Sequence, residues 1–174
     1  MIDRNYCLTM ARYNRWQNKQ LEELLQPLSW DELTRDRGAF FGSIMQTLSH
    51  IYWGDWIWMS RFDGRPGPGM DGRAGLTLFP TLATWSADRF RMDGRISLWA
   101  NRLDTVDLTG DLTWYSGSSG REVTKPLALL VVHFFNHQTH HRGQLHMMLT
   151  VLGGPSLPLD LIYFQRTEDG RRFA

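Results

Sequence analysis

Five of the six histidines in this 174-residue chain sit between His133 and His146, in the stretch HFFNHQTHHRGQLHMM, and the sixth, His50, stands far upstream. Neutral imidazoles ligate divalent transition metals, and they exchange protons near neutral pH. On a helix each residue turns about 100°, so His133, His137 and His141 share one stripe, His140 lies to its side and His146 points away from His137. Metal to nitrogen distances are about 2.0 to 2.1 Å, whereas residues eight apart are separated by about 12 Å along the axis. His133 and His141 therefore cannot share an ion. The segment offers two ligands, His133 with His137 or His137 with His141, and a third must come from another element.

His50 is the remaining histidine. It lies in a strongly apolar segment, where its ring nitrogens need partners. Either it is a hydrogen-bonded core residue or it completes a three-ligand site. Gly54, one turn later, would leave room beside an ion for water or substrate. His133 reads as a neighbour of the site or a core residue, His140 and His146 as half-exposed helix residues, and Arg142 and Gln144 as surface groups. Gly143 costs about 1 kcal/mol relative to alanine inside a helix, which predicts close packing there.

Two other metal chemistries fit less well. Helical zinc peptidases place a glutamate directly after the first histidine as general base, but Gln138 follows His137. Di-iron bundles draw glutamates from paired helices, and the histidine segment has none after Glu122. A mononuclear, histidine-rich site is the better match. Asp55 and Asp63 have suitable ligand chemistry but face away from His50, and no residue is singled out as general base. The single cysteine, Cys7, lies near the terminus and gives little support to nucleophilic catalysis.

Long helices must position these residues. Tyr6, Met10, Tyr13, Trp16, Leu21, Leu24 and Leu25 follow helical spacing up to Pro27, and SWDE then marks a short capped turn at Ser29. A second helix is predicted from Ile44 to Phe62, ending at DGRPGPG; its apolar residues, Trp53, Trp56 and Trp58 among them, cover more than one face, which suits burial against other helices or a second subunit. A third runs from about Leu82 to Leu103. Two β-branched and aromatic stretches around SGSSG predict a small hairpin or an ordered loop outside the main core. The fourth helix is predicted to begin near Thr124 as N-cap, with Pro126 in its first turn, and to end at Gly153 or Gly154, about 28 residues or 42 Å. The last segment, from SLPLDLIYF onward, should pack across the helices and then fray. The expectation is an all-α four-helix bundle with a short hairpin or loop before the last long helix, a single domain spanning 1–174.

The 19 basic and 18 acidic residues leave a formal charge of +1, which gives no broad attraction to nucleic acid or to an anionic membrane. One cysteine excludes an internal disulfide framework and suits a reducing compartment. The amino-terminal residues lack a signal peptide's apolar core, and the longest apolar run, LALLVVHFF, is less than half of a membrane span. These features predict a soluble, cytoplasmic protein.

NHQTHHRGQLHMML followed by LGGPSLPLDLIYF resembles the signature of the DinB-like (YfiT-like) metalloenzyme family, and TLSHIYWGDWIWMSRFDG is similar to that family's second helix. The resemblance covers nearly the whole chain. It implies a bundle in up-down-down-up order, often homodimeric, with one divalent ion held by three histidines; position by position these are His50, His137 and His141. It also implies zinc, nickel or iron as the metal and, in some relatives, a low-molecular-weight thiol cosubstrate such as bacillithiol or mycothiol. Two functions are consistent with this: a metal-dependent enzyme of thiol-dependent S-transferase or hydrolase type, or a non-catalytic metal-binding protein of a damage-inducible stress response. The small-molecule substrate is not specified.

Overall fold

Asp3 starts the first helix: its carboxylate accepts the Tyr6 backbone N–H at 2.8 Å, leaving α1 to run Arg4–Leu25. A computed structural model describes residues 2–155 and 158–164 of the chain. The SWDE turn forms as α2 (Trp30–Thr34), with the Ser29 hydroxyl accepting from the Glu32 N–H. Ser43 and Gln46 form a reciprocal capping box at the start of α3 (Ile44–Asp63), which stops at Gly64 in the left-handed region, φ 71°. Thr81 caps α4 (Leu82–Arg102). Of the hairpin and the ordered loop, the hairpin forms: β1 (Asp111–Ser116) pairs antiparallel with β2 (Arg121–Pro126), in a register that sets Asp111 opposite Pro126 and Ser116 opposite Arg121.

One boundary differs from expectation. The last long helix, α5, spans Leu127–Val151 and so starts after Thr124 and Pro126. Thr124 belongs to β2, where its hydroxyl meets that of Thr113 at 2.7 Å, and Pro126 closes the strand. Strand pairing thus outcompetes the local N-cap preference, and the proline, with no N–H to offer, sits at the ladder's end. Gly153, at φ 77°, follows α5 with the left-handed conformation expected of it. A one-turn helix, α6 (Leu161–Phe164), ends the described chain.

The fold is mostly helical with one small two-stranded sheet. α1 packs on α4 and α5, and α3 packs on the same two helices, around a core that includes Leu25, Met59, Trp85, Ile96, Phe134, Phe135 and Leu145. Each such side chain contributes about 1.5–3 kcal/mol of burial free energy. The tryptophans of α3 lean on this chain's own segments. Trp53 and Trp56 donate their indole N–H groups to the carbonyls of Met70 and Pro66, and Trp58 stacks on Phe62 and meets Trp114 of the hairpin edge to face.

Phe164 is fully buried against Tyr13 and Trp16, and the Tyr13 hydroxyl donates to the Leu159 carbonyl, so the described part of the last segment is anchored on α1, where packing across the helices was expected, while Leu161, Ile162 and Tyr163 stay exposed. The fraying expected for its charged end falls outside the described residues. Among the described residues no helix is long and apolar enough to cross a membrane.

A candidate metal centre of three histidines

His50 on α3 and His137 and His141 on α5 converge, with one ring nitrogen from each within 4.8 Å of the others. The Nε2 atoms of His50 and His137 are 3.1 Å apart. Two nitrogens bound to one tetrahedral ion at about 2.1 Å are about 3.4 Å apart, so the spacing suits a shared cation. Of the two pairs that α5 could offer, the structure brings His137 and His141 to His50. His133 remains exposed; its ring lies 5.9 Å from that of His137 and packs on Trp58 instead.

The close approach of α3 to α5 depends on Gly54. A Cβ at this position would lie 2.9 Å from Cε1 of His137, so the space left by the missing side chain is occupied by the imidazole itself. This corrects the expectation that Gly54 makes room for water or substrate. Gln144 is also not a plain surface group. Its side-chain oxygen is 2.8 Å from His141 Nδ1, and because that oxygen can only accept, the proton sits on Nδ1 and the Nε2 lone pair is left free.

Burial, reinforced by the neighbouring imidazoles, lowers the pKa of His50 to about 4 and of His137 to about 3; burial lowers that of His141 as well. All three are neutral at pH 7, the form that binds metal. Phe41, which the sequence reading did not single out, stacks on His50 with ring centroids 4.0 Å apart and lies 5.4 Å from His141. A tight turn presents it: an isolated bridge joins Ala39 to Gly42, where φ is 79°. Its sequence signal is the phenylalanine pair Phe40–Phe41 directly before Gly42.

Arg142 is buried, contrary to its reading as a surface group. It projects from the face of α5 turned toward α1, donates to Asn14 Oδ1 and lies 5.8 Å from the Tyr13 ring. Gln138, on the same helix, donates to Asp55 Oδ1 at 2.7 Å, and the other oxygen of Asp55 accepts from Arg89 at 2.5 Å. Arg89 also pairs with Asp93, which accepts from Asn18. This buried polar band ties α1, α3, α4 and α5 together beneath the histidines. Asp55 is thereby committed to the band, and Asp63 to Arg95 at 2.7 and 2.8 Å; neither approaches the three rings as a ligand.

His140 is exposed and His146 half-buried, as expected. A Cβ added at Gly143 would meet nothing within 4 Å, so close packing does not account for this glycine and nothing in the structure explains it. Cys7 is fully buried in the core, and burial pushes its thiol up to about 11, which removes it as a nucleophile.

The DinB family profile matches residues 1–172. The chain is also 27% identical over 171 residues to Protein DinB of Bacillus subtilis (strain 168), an alignment that covers 94% of this chain and 98% of that relative. With the match extending through every described helix, the chain belongs to the DinB family.

Proposed function

We propose that the chain is a metal-dependent enzyme of thiol-dependent S-transferase or hydrolase type, with one divalent transition metal, zinc, nickel or iron, held by His50, His137 and His141. The convergence of three neutral imidazole nitrogens within 4.8 Å carries the reading. Such an ion acidifies a water or a thiol and so supplies a nucleophile at neutral pH. The chain's own groups prepare the site. Burial keeps the rings unprotonated, Gln144 holds the proton of His141 on Nδ1, and Phe41 stacks over one face of the His50 ring. Three protein ligands are the number found in catalytic zinc sites, which keep a position open for a substrate.

The architecture we infer with this site is a four-helix bundle in up-down-down-up order. Contacts support it: Asp55 meets Arg89 and Asp63 meets Arg95, as parallel α3 and α4 require. His50 meets His141 while Phe62 meets Phe134, as antiparallel α3 and α5 require, and Tyr6 meets Phe135 while Asn14 meets Arg142, as parallel α1 and α5 require. A homodimer would find apolar surface at Phe90 and Leu98, both exposed on α4.

Elemental mass spectrometry on untagged protein tests the site. About one ion per chain is expected in the parent and none in a folded His137→Ala, His141→Ala variant. No ion in either, after incubation with zinc or nickel, would remove the proposal. A panel of electrophiles with and without added thiol then separates transferase from hydrolase. A second reading, a non-catalytic stress-response protein, is favoured by one feature: the ligands come from two helices, so an ion would clamp α3 to α5. It predicts a large loss of thermal stability on chelation and no turnover.

A further inference from the structure

Arg61, in the last turn of α3, is a cation with no anionic partner among the described residues. Its guanidinium carbon lies 4.5 Å from the ring centre of Trp58 and 5.1 Å from that of Trp114, and among the described residues it has no hydrogen bond and no carboxylate partner. The acid two residues away, Asp63, is taken by Arg95 and Arg65. Aromatic faces hold the guanidinium plane but leave its N–H edge free, and that edge recognises a planar carboxylate through two parallel hydrogen bonds. Arg61 is half-buried, so a bond made there is less screened than one on an open surface.

The position of Arg61 relative to the histidines gives this free edge a purpose. Gly54 and Arg61 are seven residues apart, so they share one stripe of α3 and are separated by about 10 Å along its axis. A continuous row of rings spans the interval: His137 to His133 at 5.9 Å, His133 to Trp58 at 5.2 Å, and Trp58 to Trp114 at 5.6 Å. His133 is exposed and both tryptophans are half-buried, so a ligand can lie along the row from solvent.

We propose that Arg61 is the anchor for the carboxylate of an extended small-molecule acid whose reactive end lies at His50, His137 and His141, about 10–16 Å away along α3, the rise from Arg61 back to Gly54 and to His50. Trp58 and Trp114 supply the walls of this subsite, and His133 lines the path between its ends. What binds at the histidine end rests on the metal-centre reading; what binds at Arg61 does not.

The probes are straight-chain ω-mercaptocarboxylates of increasing length, each compared with the ω-mercaptoalcohol of equal length. Binding to cobalt(II)-loaded protein is read from the cobalt absorption bands. The acid should bind about tenfold more tightly than the alcohol once the chain spans about 10–16 Å, and less selectively when shorter. Arg61→Met should abolish that preference with alcohol binding unchanged, and Arg61→Lys should restore only part of it. A preference that is absent in the parent, or that survives Arg61→Met, overturns the assignment. Should cobalt fail to bind the parent, the metal-centre reading falls. Metal-free protein titrated with octanoate and octanol, followed by tryptophan fluorescence, then decides Arg61 by itself: an Arg61-dependent preference for the acid sustains it, and equal binding overturns it. Circular dichroism confirms that each variant is folded, with Arg61→Gln replacing Arg61→Met if it is not.

Discussion

A methyl group on Gly54 would lie 2.9 Å from Cε1 of His137, closer than two such carbons approach unless one moves. The backbone of α3 is therefore the wall against which one of the three converging imidazoles rests. The packing of the two helices and the geometry of the histidine group are the same contact.

Gly54→Ala is expected to weaken metal binding by tenfold or more while the metal-free fold survives. Alanine is favoured over glycine inside a helix by about 1 kcal/mol, which offsets the crowding, and His137 can rotate away at the expense of its alignment with His50. Competition with a chromogenic chelator measures the affinity, and thermal melts of the metal-free protein measure the fold. Unchanged affinity would mean that His137 is not held in place by this contact.

Stability of the metal-free protein should fall as the pH drops below about 6.5. His50 and His137 have folded pKa values of about 4 and about 3, below the ordinary value of about 6.5 that the unfolded chain regains. Between those limits the unfolded chain binds more protons, so acidification favours it; above about 6.5 neither state takes up protons at these sites and the contribution is flat. Melting temperatures from pH 8 to 5 check this, and His137→Phe should show a shallower decline between pH 6.5 and 5. An equal slope in parent and variant would count against neutral, buried imidazoles.

Asp55→Ala should destabilise the fold by about 3–5 kcal/mol, because it strips a buried partner from Arg89 and also leaves Gln138 without its acceptor. Urea denaturation reads the loss directly. A change below about 1 kcal/mol would show that water or Asp93 replaces the carboxylate without difficulty.

Cys7 should resist a thiol reagent such as dithionitrobenzoate in the native protein and react fully in denaturant, since it is fully buried with its thiol raised to about 11. Rapid labelling under native conditions would mean that α1 opens locally on the time scale of the reaction.

Much of the helical order was legible because helix signals are local. The spacing of apolar residues, the cap at Ser29 and the stop at the DGRPGPG stretch each act within a turn or two of the chain. The same locality misled at Thr124, a good N-cap in isolation that pairs across the hairpin with Thr113. Its partner lies outside any window that capping patterns can see.

For the histidines, the sequence by itself determined that His133 and His141 could not share an ion and that α5 could supply two ligands at most, since helical rise and metal bond lengths allow nothing else. Helix geometry left the partner of His137 open and the family resemblance implied His141; the tertiary structure brings both rings to His50, and it alone decided that Gly54 serves as the wall for His137 and that Arg142, Gln138 and Asp55 are buried partners of other charges and amides. Each of these depends on the rotation and depth at which α5 sits against α3 and α1. That is set by the sum of core contacts among distant residues, and no short stretch of the chain encodes it.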